Sequence, residues 1–150
     1  MGQAHSSRKG LNREAIVQAA VNLVNTEGAD ALTINRLAHE LSVQPPSLYN
    51  HVSGLNDLRR ELALLNLHSL GDRLTSAALG RSGPAGIVAL AQAYRAYVKE
   101  YPELYQAGLR ASGNMDQPDP RLQEAEERIV RVALALVSSF GLDGEDAIHA

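Results

Sequence analysis

Apolar side chains recur every three or four positions through most of this chain: Ile16, Ala19, Ala20, Leu23 and Val24 first, then Ile34, Leu37, Ala38 and Leu41. That is the period of helices with one face turned inward. Asn12 stands where an N-cap is needed and Gly28 where a helix stops, which predicts a first helix over 12–27. Thr33, a hydroxyl residue directly before Ile34, caps a second helix of about two turns. Ser42 and Val43 break the pattern. Pro45 is tolerated in the first turn of a helix, where the amide hydrogen it lacks has no intrahelical partner, so a third helix starts near Gln44 or Pro45. Leu48 and Val52 give that helix an inward face and leave Gln44, Pro46, Ser47, Tyr49, Asn50 and His51 outside. A long fourth helix over 55–79 carries Leu58, Leu62, Leu65, Leu70 and Leu74 and ends at the breaker cluster GRSGPAG. Helices over 85–101 and 102–111 follow, GNMDQPDP forms a loop, and Pro120 opens a seventh helix over 120–140 that Gly141 closes. No alternation of apolar and polar residues is long enough for a strand, so the expected fold is all-α.

The second and third helices meet across a tight turn inside the stretch from Leu32 to Leu58. Its exposed set is short, polar and aromatic. Amides and hydroxyls of that kind hydrogen-bond base edges or phosphates, a proline or tyrosine touches a thymine methyl, and His51 donates to a phosphate. In the helix-turn-helix arrangement the second helix of such a pair lies in the major groove. An ordinary solvated helical hairpin shows the same polar outer face, so the pattern alone leaves both readings open.

The segment LSVQPPSLYNHV closely resembles the recognition segment of TetR-type bacterial transcription regulators. It carries the small residue and valine after the second helix (Ser42, Val43), the Leu48–Tyr49 pair, and His51 followed by an apolar residue. The resemblance extends upstream through NREAIVQAAVNLVNTEGADALTINRLA and covers about residues 10 to 65. It implies that Thr33, Tyr49 and His51 touch phosphates, while Gln44, Pro45, Pro46, Ser47 and Asn50 face the groove floor. Many members of the family place a phosphate-gripping lysine at the start of the fourth helix, where this chain has Leu55. The amides of that helix end, with Ser53 as a helper, remain an expected anion site.

Composition sets outer bounds. A chain of 150 residues normally makes one domain or slightly more and buries a real core. No apolar run is long enough to span a bilayer, and MGQAHSSRKG has no hydrophobic centre of the signal-peptide kind, so the cytoplasm is the expected compartment. Cysteine is absent, which excludes disulfides and thiolate metal sites. The formal net charge of -3 argues at first against nucleic acid, but its distribution does not. Residues 1–60 hold six Lys or Arg against five Asp or Glu, while residues 61–150 hold eight against twelve. Arg8, Lys9 and Arg13 form an expected basic arm that reaches phosphates or an adjacent minor groove; a solvated tail is the alternative.

In the second half Tyr94, Tyr97, Tyr101 and Tyr105 recur at spacings of three and four. Such a stripe suits either a pocket for an amphipathic small molecule or plain core packing. His68, Arg110 and Met115 are candidates to join the same cavity. Catalytic patterns are missing: there is no His-Glu-x-x-His, no Gly-x-Ser-x-Gly, no phosphate-cradling glycine loop and no metal-ligand spacing among the histidines. His39, His149 and the cluster Glu124, Glu126 and Glu127 read as surface. The expectation is therefore not an enzyme, with no cofactor and no metal. It is a DNA-binding regulator with a basic arm over 1–10, a three-helix helix-turn-helix domain over 11–54 and a C-terminal helical ligand-binding and dimerisation domain over 55–150. The family resemblance implies a homodimer on a palindromic operator and, most often, a repressor that a small-molecule effector releases. The competing expectation is a helical small-molecule-binding protein that has lost DNA binding, with Leu55 as its leading sign. Family members usually dimerise through two long C-terminal helices. The chain stops at GLDGEDAIHA, where Asp143 reads as an N-cap with Asp146 three residues on, so an incomplete chain is expected.

Overall fold

The structure, a computed structural model, describes residues 10–113 and 119–139. The expectations for Arg8, Lys9, Met115, Phe140, Gly141, Asp143, Asp146 and His149 lie outside the described residues. The described residues form helices and no strand: α1 Arg13–Glu27, α2 Ile34–Glu40, α3 Pro45–Leu48, α4 Leu55–Ala78, α5 Gly83–Glu100, α6 Pro102–Gly113 and α7 Pro120–Ser138. A single 3₁₀ turn, Ala29–Ala31, which the periodicity does not announce, joins α1 to α2.

The helix ends follow from local chemistry. Asn12 Oδ1 accepts the Ala15 N–H at 2.8 Å, and Gly28, at φ 91°, returns its N–H to the Val24 carbonyl. Thr33 Oγ1 accepts the Arg36 N–H at 3.1 Å. At the end of α2 the Ser42 N–H donates to the His39 carbonyl and the Val43 N–H to the Ala38 carbonyl, at 3.1 and 3.0 Å. This pair of bonds is a Schellman motif, and it places Ser42 in the left-handed region at φ 54°. The turn between the hairpin helices is thus built from backbone bonds, with a serine where glycine is the unstrained choice. Helix α3 is short, but its last turn continues through the bond from Val52 N–H to the Leu48 carbonyl at 3.0 Å.

Ile16, Ala20, Leu23 and Val24 of α1 pack with Leu37 and Ala38 of α2, Leu48 and Val52 around α3, and Leu58 and Leu62 of α4. Leu104 of α6 joins the same cluster. The expected division at residue 54 thus falls within one apolar cluster, the core of an N-terminal head, which continues into the first two turns of α4. Farther along, α4 packs against α5, α6 and α7. Two smaller clusters lie there, one of Ala63, Leu64 and Leu122, the other of Leu70, Leu74 and Tyr97. Asn66 is buried between them and accepts the Tyr97 O–H through its backbone oxygen at 3.2 Å and its Oδ1 at 3.0 Å. Among the described residues, no helix is long and apolar enough to cross a membrane.

Candidate nucleic-acid interface and ligand cleft

Helix α3 is oriented by what it buries. Leu48 is fully enclosed and Val52 nearly so, so the rest of the turn faces outward: Gln44, Pro46, Tyr49 and Asn50 are exposed, and Pro45, Ser47 and His51 are half-buried. Tyr49 is 55% exposed, so its ring and hydroxyl are both open to a partner on this face. Thr33 is exposed at the start of α2; its oxygen is engaged as the helix cap, and its hydroxyl hydrogen is left to donate outward. Ser53 is exposed before α4.

Two expectations for this end of the molecule need correcting. Arg13 does not extend a basic arm. Its guanidinium holds both oxygens of Asp57 at 2.8 Å, Glu61 Oε1 at 2.9 Å and the His51 carbonyl at 3.1 Å. A planar fork that meets a carboxylate bidentately is the strongest form of charged hydrogen bond, and here it fastens α1 to α4. The Arg13 guanidinium in turn holds the Asp57 carboxyl well below the usual carboxylate range. The anion site at the start of α4 is likewise partly filled from within, because Asp57 Oδ2 accepts the Ser53 N–H at 3.0 Å. Leu55, where a lysine was the common pattern, packs against the head core. The Asp57 and Glu61 spacing of four was visible in the sequence, but nothing local marked Arg13 as their partner.

The tyrosines divide into two pairs. Tyr97 and Tyr101 line a cleft of about 400 Å³ between α1, α4 and the α5–α6 junction, with Gln18, Val21, Leu65 and Arg73. Arg73 lies 5.6 Å from the Tyr97 ring centre and 5.5 Å from that of Tyr101, a cation–π arrangement, and pairs with Glu100 at 2.7 Å. Burial pushes the Tyr97 phenol up to about 12. Tyr94 and Tyr105 instead meet edge to face, ring centres 6.0 Å apart, with their hydroxyls hydrogen-bonded to each other. That shared bond pushes the Tyr94 phenol up to about 12. His68 and Arg110 do not join them. His68 lines a separate cleft of about 560 Å³ with Arg121, Arg128 and Arg131, and Arg110 pairs with Asp30 at 2.7 Å. Pro102 starts a new helix axis between Tyr101 and Tyr105, so a spacing continuous in sequence is not one face in space.

Among the described residues no group of three or more His, Asp or Glu side chains is placed to hold a metal ion. Comparison with known proteins bears on the whole chain. Residues 87–150 match the model of a tetracyclin repressor-like C-terminal domain. An HTH-type transcriptional regulator of Mycobacterium tuberculosis is 39% identical over 140 residues, covering 93% of this chain; the chain spans only 63% of that relative's length. The HTH-type transcriptional regulator YobS of Bacillus subtilis is 34% identical over 146 residues, covering 97% of this chain and 74% of the relative. A crystal structure of the TetR family transcriptional regulator PfmR of Thermus thermophilus superposes with a TM-score of 0.70 at 19% identity, covering 89% of this chain and 76% of that one, a likeness of fold. With a relative 34% identical matched over 74% of its length, and a tetracyclin repressor-like C-terminal domain matched over residues 87–150, the chain belongs to the TetR family of helix-turn-helix transcriptional regulators.

Proposed function

We propose that the protein binds duplex operator DNA through α3 and represses transcription until a small-molecule effector releases it. The observation that carries this reading is the outward face of α3, with Gln44, Pro46, Tyr49 and Asn50 exposed over a hairpin anchored by Leu48 and Val52. Gln44, Pro45, Pro46, Ser47 and Asn50 then meet base edges, Thr33, Tyr49, His51 and Ser53 meet phosphates, and Arg8 and Lys9 add cations from the arm over 1–10. Residues 11–54 act as the reading head and 55–150 as the regulatory part. Two copies set their recognition helices in successive major grooves. Val130 and Leu134, both exposed on α7, are apolar surface available to the second copy. The cytoplasm, where the chromosome lies, is the compartment this function requires.

For the effector, the cleft at Tyr97 and Tyr101 is the better placed of the two described. It lies between α1 and α4, so an occupant wedges helices that both belong to the head core. The second reading, a ligand-binding protein without DNA activity, draws on Leu55 and Arg13, since neither supplies a free cation beside α3. An electrophoretic shift at low salt with the duplex upstream of its own coding region separates the two. Retarded duplex that salt releases supports the regulator, and no shift without ligand removes it. Within that assay, Tyr49→Ala and His51→Ala are expected to weaken binding several-fold, about equally for different duplexes as phosphate contacts do, while leaving the melting temperature near the parent's. Unfolding of both variants shows instead that these side chains support the core.

A further inference from the structure

An unbroken line of charged contacts runs from α7 to the end of the recognition turn. Arg121, in the first turn of α7, donates from Nη1 to Glu61 Oε1 at 3.0 Å. The same oxygen accepts from Arg13 Nη2 at 2.9 Å. Arg13 Nη1 reaches the His51 carbonyl at 3.1 Å, and its two terminal nitrogens clamp Asp57, which holds the Ser53 N–H at 3.0 Å. Arg121 is itself held to the α7 cap by Asp119 at 3.0 Å. One carboxylate oxygen of α4 is thus shared between a guanidinium of α1 and a guanidinium of α7.

Sharing makes the three elements interdependent. Asp57 and Glu61 stand four residues apart on α4, so their like charges repel along one helix face. Without Arg121, Arg13 alone would have to satisfy both; Arg121 relieves it by taking part of Glu61. Both carboxylates are shielded, their side chains 14% and 19% exposed, while the guanidiniums of Arg13 and Arg121 stay 42% and 55% exposed, so the network is wet on its cationic side and its worth lies in geometry more than in energy. Withdrawing Arg121 leaves Glu61 dependent on Arg13, draws that guanidinium along α4 away from Asp57, and loosens its hold on the His51 carbonyl and the Ser53 amide.

We propose that Glu61 is a positioning residue that couples α7 to the seat of His51 and Ser53, so that movement of α7 alters the phosphate-facing end of the reading head. The effect on DNA rests on the operator-binding reading above; the coupling itself does not. The test uses Arg121→Gln and Glu61→Gln, singly and together, in the full chain. Arg121 is solvent-facing, so its variant is expected to fold. The first readout is amide hydrogen exchange at Ser53, followed by NMR. Arg121→Gln is expected to speed exchange there several-fold in the parent and to add nothing once Glu61 is Gln, the non-additivity of a shared partner. Unchanged exchange at Ser53, or effects that simply add, overturns the proposal. The second readout is affinity for a duplex selected by the parent protein from a random pool. A loss of about fivefold at unchanged salt slope is expected. A shallower slope means that Arg121 touches phosphate itself and overturns the relay. If the parent selects no duplex, the operator reading fails while Ser53 exchange still decides the coupling.

Discussion

The N-terminal head around the helix-turn-helix and the body built on α5–α7 are both helical, yet they hold together differently. In the head, α1, α2, α3 and the first turns of α4 converge on one apolar cluster that Leu104 of α6 joins, with Asn12 and Thr33 capping helices and Arg13 clamping α1 to α4 at the rim. In the body, the apolar clusters are small and separate, a buried Asn66–Tyr97 hydrogen bond sits between them, and glycines stand where helices approach closely. Val88, Leu109, Val130 and Leu134 remain exposed there. A continuous apolar core resists relative movement because its side chains interlock. Smaller clusters joined by a buried hydrogen bond and close glycine crossings hold the body through separate local contacts rather than through one interlocked core.

The contrast can be broken most directly in the head. Leu37→Ala removes a fully buried side chain at its centre and is expected to cost about 2–5 kcal/mol in chemical denaturation. A cost under about 1 kcal/mol means that the head core is not continuous. The matching change in the body is Gly108→Ala. Its new Cβ meets Asn66 Nδ2 at 2.6 Å and Asn66 Cγ at 3.0 Å, and overpacking of this kind costs about 1–3 kcal/mol. The penalty should shrink sharply when Asn66 is also Ala; a penalty unaffected by that change places the strain elsewhere.

The clamp between α1 and α4 answers to acid. Asp57 is held below its ordinary value by Arg13, so the folded state binds fewer protons there than the unfolded chain. The stabilisation is complete above the unfolded carboxylate's range, about pH 4, and is lost progressively as pH falls below it. Asp57→Asn should flatten the acid limb of a stability profile while lowering stability near neutrality, and an acid limb identical to the parent's assigns acid sensitivity to other groups. The smallest effect sharpens the view of the hairpin turn. Ser42→Gly, at φ 54°, relieves a left-handed serine and should stabilise by about 0.5 kcal/mol or more, read as a rise in melting temperature. A loss of stability shows that the Ser42 side chain contributes more than its backbone strain costs.

Much of the head was legible because its information is local. Asn12 and Thr33 cap as their side-chain chemistry suggests, Gly28 stops α1, and Leu48 with Val52 turns α3. The boundaries of α4 and α7 agree with their breakers within a residue or two where described, while α5 begins two residues earlier, at Gly83, with Pro84 just inside. The tyrosine stripe was half legible. Tyr97 and Tyr101 share a cleft, but the new axis of α6 pairs Tyr105 with Tyr94 instead. Arg13 shows the opposite case: its chemistry is plain in the sequence, but its partners lie 44 and 48 residues away.

By itself the sequence determined the helices, the inward face of the hairpin and the family, since periodicity, capping and turn chemistry act over a few residues. Only the tertiary structure decided which charges meet, that Glu61 is shared between α1 and α7, and that the head core runs into α4 and α6. Those outcomes depend on how helices cross, and the crossing is set by the packing of all of them together rather than by any local stretch of chain.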